Sequence, residues 1–171
     1  MEKYQVKSTG KEPFKLTKGA EELGTLNYPN WYSTTKAEIQ LAGQEEKLKL
    51  KAPGFWKNSL ELWKADDCII SSKLGWNLGV TLSINNADYL LKVKNLGKGI
   101  FTLQDASDYE LLRIDVDIEW IHAKAEFEIE IFRDTELFTP EILLFLIHNC
   151  NYFLALSGNG GNTEGMLAAT M

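Results

Sequence analysis

Two histidines, His122 and His148, and two cysteines, Cys68 and Cys150, are all the imidazole and thiol this chain of 171 residues carries. A zinc site or a histidine-based nucleophile relay needs several such groups at set spacings, so a histidine-rich catalytic or zinc centre is excluded. The chain has no G-x-S-x-G, no phosphate-binding glycine loop, no H-E-x-x-H and no C-x-x-C. The residues therefore predict no catalytic, cofactor or metal site and a non-enzymatic protein. His148 interrupts an apolar run together with Asn149 and Asn151, and all three read as core polar groups satisfied by hydrogen bonds inside the fold. Cys68 and Cys150 are far apart, with no signal for an oxidising compartment, and read as free thiols acting as small buried hydrophobes.

Charge offers the remaining candidates. Lys47, Lys49 and Lys51 alternate with leucines, and Lys92 and Lys94 follow the same period, so these five are the candidate ligand-binding residues. Their plainer role is a solvated strand face that pairs across the sheet with Asp115, Asp117 and Glu119 or with Glu126, Glu128 and Glu130. The net charge of −6 disfavours nucleic acid as a partner and predicts weak affinity for anionic membranes, since both reward concentrated basic surface.

The elements that would position these side chains are legible from periodicity. Hydrophobic residues at 44% and charged residues at 25% are the mixture of a folded globular chain. Most segments from residue 4 to residue 132 alternate or form short β-rich runs, separated by turn residues about every ten positions. Strands fit Phe14–Leu16, Leu23–Leu26, Ala37–Ala42, Lys47–Lys51, Ser59–Trp63, Cys68–Lys73, Leu78–Ile84, Tyr89–Lys94, Ile100–Gln104, Leu112–Trp120 and Ala125–Phe132. The last two each have one apolar and one acidic face. Successive one-faced strands with tight connections predict an antiparallel sheet wrapped round one interior. Core packing accounts for most of the five tryptophans, Trp31, Trp56, Trp63, Trp76 and Trp120.

After Phe138 the period changes. Thr139 suits the N-cap, Pro140 the first helical position and Glu141 the positive end of the dipole. A helix over residues 140 to 156 follows, carrying ILLFLIHNCNYFLAL and stopping before a glycine-rich stretch. Its apolar residues cover the whole circumference, which predicts burial on all sides. The run falls short of the roughly 20 residues a bilayer needs, so no transmembrane span is expected. The polar start MEKYQVKSTGKEPF carries no secretory pattern, which predicts a cytoplasmic protein. One domain over 1–157 with a flexible tail over 158–171 is the expected organisation.

A hydrophobic helix placed last after many short strands, with FKLTKGAEELGTLNY near the start and ILLFLIHNCNYFLAL near the end, resembles the tubby C-terminal-like superfamily. That superfamily includes tubby proteins, phospholipid scramblases and the plant LURP-one-related proteins. The resemblance runs from about Phe14 to Leu156. It implies a mainly β fold, a closed antiparallel barrel of about twelve strands around a central C-terminal helix. It also implies an interaction or lipid-related binding module whose partner is a lipid head group or a protein. Tubby proteins hold phosphoinositide head groups through clustered basic residues. Scramblase-like members carry a calcium-associated acidic segment before the last helix, where Asp134 and Glu136 stand in this chain. Glu126, Glu128 and Glu130 lie instead on a strand and point outward in a row, so no metal site is expected. The alternative is a lipocalin-like carrier of a small hydrophobic ligand with an open lumen, suggested by Gly54-Phe55-Trp56; here several strands precede that motif.

Overall fold

The computed structural model describes residues 1–29, 34–75, 79–119, 124–133 and 135–157. Trp31, Trp76, Trp120, His122, Asp134 and the glycine-rich tail lie outside the described residues. Among the described residues twelve strands, β1 (Glu2–Thr9), β2 (Phe14–Lys18), β3 (Glu21–Asn27), β4 (Lys36–Leu41), β5 (Lys47–Lys51), β6 (Ser59–Lys64), β7 (Asp67–Leu74), β8 (Gly79–Ile84), β9 (Ala87–Asn95), β10 (Ile100–Gln104), β11 (Glu110–Glu119) and β12 (Lys124–Ile131), precede one α-helix, α1 (Pro140–Ser157). Every strand pairs antiparallel with its neighbours in sequence, and β1 pairs with β12 to close the barrel. Closure leaves no strand edge unpaired.

The strand that closes the barrel is the one missing from the periodicity above. In β1, Tyr4, Val6 and Ser8 turn inward while Lys3, Gln5, Lys7 and Thr9 turn out, an alternation masked by the polar composition of the segment. Its register on β12 runs unbroken from Glu2 opposite Ile131 to Thr9 opposite Lys124. Elsewhere local chemistry shapes the turns as expected. Asn85 and Asn86 both adopt positive φ between β8 and β9, the backbone a two-residue hairpin of matching twist requires.

Alternation puts the leucines of β5, Leu48 and Leu50, in the core and its lysines outside. The same rule buries Phe127, Ile129 and Ile131 of β12 and exposes Glu126 and Glu128. In α1 every residue from Ile142 to Phe153 is buried, so this stretch has no solvent-facing stripe. Leu144 lies against Gly24 of β3, Asn149 bonds Ser72 of β7, and Phe153 meets Phe101 of β10 edge-on at 5.9 Å. The Leu143 N–H donates to the Thr139 carbonyl at 3.0 Å, as an N-cap backbone requires. The Thr139 hydroxyl itself, expected to cap, is buried without a partner. No described helix is long and apolar enough to cross a membrane.

Candidate functional site

The five predicted lysines do not form one group. Lys92 and Lys94 stand on β9, four strands round the barrel from β5. Lys94 is ion-paired with Glu110 at 2.9 Å, and Lys47 with Glu38 at 3.6 Å. Neither uses the acids of β11 or β12 named above. Two of the β12 acids are engaged from the other side by β1, Glu130 by Lys3 at 3.0 Å and Glu126 by Lys7 at 3.6 Å, and Asp115 of β11 is held by Arg113 on its own strand at 2.7 Å. The correction has a simple cause. Charged stripes pair with acids on nearby strands of the sheet: Lys47 reaches Glu38 on the adjacent β4 and Lys94 reaches past β10 to Glu110 on β11, whereas β11 stands six strands from β5 in either direction round the ring.

Lys49 and Lys51 do meet other basic residues. The β4–β5 register sets Lys36 directly opposite Lys51, a like-charge pairing that costs stability on a sheet surface. Lys57, in the β5–β6 connection, completes the set. The four lysines line one open groove of about 610 Å³ with Pro29, Ala52 and Pro53, and with Glu38 and Glu61 as its acids. The groove therefore carries a local excess of two positive charges on an acidic chain. The Lys51 ammonium sits 4.8 Å from the centre of the Trp63 ring, a cation–π contact that fixes its position. Trp63 in turn donates to the Glu61 carboxylate at 3.3 Å. A second open depression of about 910 Å³ crosses β6, β7 and β8 and shares Pro53 and Glu61 with the first.

Sequence reasoning missed Lys36 and Lys57. Neither belongs to an alternating basic run, and only the strand register and the fold of the β5–β6 connection bring them beside Lys51. Neither tryptophan among the described residues is in the core, where most were expected: Trp56 is 83% exposed, next to Phe55 at 88%, and Trp63 is half-buried on β6.

The helix polar groups form a separate, buried network. The Tyr28 hydroxyl lies 2.8 Å from His148 Nδ1 and accepts from the Asn151 amide at 3.1 Å. Ser72 donates to Asn149 at 2.6 Å, and the Asn149 amide donates to the Phe145 carbonyl at 2.8 Å. The imidazole tautomer sets which of Tyr28 and Nδ1 donates in this bond, and Nε2 has no partner among the described residues. Burial holds His148 neutral, with its pKa lowered from 6.5 to about 3, and pushes Cys150 and Tyr28 up. Both cysteines are free. Cys150 is buried as expected, whereas Cys68 is exposed on β7, 3.9 Å from Glu61. Glu136 lies in a single 3₁₀ turn (Thr135–Leu137). Among the described residues no group of three or more His, Cys, Asp or Glu side chains is arranged to hold a metal ion.

No protein-family model matches the chain, and no curated protein matches it. Among solved structures it is similar to the X-ray structure of a protein from Arabidopsis thaliana, with a TM-score of 0.55 at 12% identity over 87% of this chain and 91% of that one. At that identity the likeness is one of fold: a barrel of this kind is shared by chains with almost no sequence in common.

Proposed function

We propose that this chain is a non-enzymatic binding module of the tubby-like type, a single domain whose last helix runs through the barrel, and that it takes the phosphorylated head group of a lipid in the lysine groove. The observation that carries the reading is the gathering of Lys36, Lys49, Lys51 and Lys57 on one groove against only Glu38 and Glu61. A like-charge pair such as Lys36 opposite Lys51 is relieved when an anion sits between the two ammonium groups. The groove also outweighs the argument from net charge, because binding responds to local rather than total potential.

A central helix is supported by the burial of every residue from Ile142 to Phe153 and by contacts to β3, β7 and β10, strands spread round the ring. The open-lumen carrier is disfavoured by the space beside the helix. Between Asn149, Tyr152, Phe153 and the facing strands that space is about 10 Å³, about one water.

Calorimetric titration with inositol trisphosphate, beside inorganic phosphate, tests the groove. Saturable binding that weakens with salt and is lost in Lys49→Glu/Lys51→Glu, at unchanged melting temperature, is the expected result. The absence of binding even at low salt would overturn it.

A further inference from the structure

We infer that the β5–β6 connection is a membrane anchor: Phe55 and Trp56 enter the interfacial layer of an anionic bilayer while the lysines beside them face its phosphates. Phe55 and Trp56 are 88% and 83% exposed and pack on each other edge-to-face at 5.3 Å. Apart from the terminal Met1, the other large apolar side chains exposed among the described residues, such as Leu96, Tyr109 and Leu156, are about half exposed or less. Isolated exposed apolar residues are ordinary, but an adjacent aromatic pair at nearly full exposure has apolar surface left for a partner.

The connection is built to present them. Gly54 and Lys57 take positive φ on either side of the pair, the Lys57 ammonium donates to the Ala52 carbonyl at 2.8 Å, and the Tyr152 hydroxyl of α1 donates to the Lys57 carbonyl. These bonds close the loop at its base, behind the aromatic tip.

Charge selects the partner. Lys57 lies next to Trp56 in sequence and shares its groove with Lys36, Lys49 and Lys51. Tryptophan with neighbouring lysines is the combination that settles at a bilayer's head-group level and is drawn to anionic lipid. The acidic side of the barrel faces away: Asp115 opposite Glu128 and Asp117 opposite Glu126 mark β11 and β12, with β11 diametrically across from β5. A charge distribution polarised in this way turns the β5–β6 side toward a negative surface. The choice of an anionic membrane rests on the groove reading; the anchoring role of the aromatic pair has its own observation.

The test is co-sedimentation with phosphatidylcholine vesicles, with and without phosphatidylserine or phosphatidylinositol bisphosphate. It compares the full chain with Phe55→Ser/Trp56→Ser and with Lys49→Glu/Lys51→Glu, each checked for an unchanged melting curve. The expected result is binding to anionic vesicles that falls at least about tenfold without the aromatic pair, while binding of inositol trisphosphate is untouched. A polarity-sensitive dye on Phe55→Cys, in a Cys68→Ser background, should shift to the blue on those vesicles. Vesicle binding indifferent to the aromatic pair, or a dye that does not shift, overturns the anchor and leaves the groove standing. Vesicle binding that needs the aromatic pair, with no uptake of inositol trisphosphate, upholds the anchor and removes the groove reading. Failure to bind any vesicle overturns the anchor and turns the exposed pair toward a protein partner.

Discussion

The hydroxyl of Tyr28 and Nδ1 of His148 lie 2.8 Å apart although 120 residues separate them in the chain. The bond ties the end of the β3 hairpin to the middle of α1, and the Asn151 amide joins it at 3.1 Å. Tyr28→Phe removes the shared oxygen and takes this partner from both His148 Nδ1 and the Asn151 amide at a buried site. A loss of about 1 to 3 kcal/mol is expected, read from urea unfolding midpoints at unchanged slope. A variant as stable as the parent would mean that neither group depends on this bond.

His148 sets a pH dependence. Its pKa is lowered from 6.5 to about 3 by burial, so between those values the unfolded chain takes up a proton that the folded chain refuses. Its contribution is fully present above pH 6.5 and is lost as pH falls, by about 1.4 kcal/mol per pH unit. Urea unfolding from about pH 6.5 to 5, above most carboxylate titration, should show this slope in the parent and one proton less in His148→Asn. Equal slopes would mean that the imidazole is protonated in the fold.

The turn between β9 and β10 separates two glycines. Gly99 has φ +65, and a Cβ there would stand 2.7 Å from the Val116 carbonyl, whereas one at Gly97 would meet only Asn95 Oδ1 at 3.6 Å. The Gly99 carbonyl also accepts from Val116 N–H at 2.9 Å, so the backbone cannot retreat without losing that bond. Gly99→Ala should lower the melting temperature by several degrees, and Gly97→Ala should leave it within about two degrees of the parent. Equal effects of the two substitutions would contradict the close approach to β11.

The two thiols should differ in reactivity. Cys68 is exposed and Cys150 is buried, so a thiol reagent should label one site per chain in the native state and two in denaturant. Partial burial and the neighbouring Glu61 carboxylate both raise the Cys68 pKa. Its labelling near neutral pH should therefore be slower than that of a free thiol and should speed up in Glu61→Gln. Rapid labelling of two native thiols would show that the Cys150 site opens readily.

Sequence alone determined the parts of this protein in which the side-chain period is itself the physical signal. Lys47–Lys51 reads as a strand because leucine and lysine alternate, and β5 has those bounds. The all-round apolar run after Pro140 reads as a buried helix because no face is left for water, and Ile142 to Phe153 are buried. β1 was illegible since Tyr4, Val6 and Ser8 hide among charged neighbours, and what makes it a strand is an uninterrupted partner in β12. The groove was half legible: Lys49 and Lys51 stand out in the sequence, whereas Lys36 and Lys57 join them only through the β4–β5 register and the closed β5–β6 connection. The barrel also decided which charges meet. Periodicity says that a lysine faces outward, but only the order of strands round a closed ring says which acid lies within reach, and for Lys47 and Lys94 that order chose Glu38 and Glu110. Local pattern fixes the face a side chain takes, and its neighbours on that face come from contacts distant in the chain.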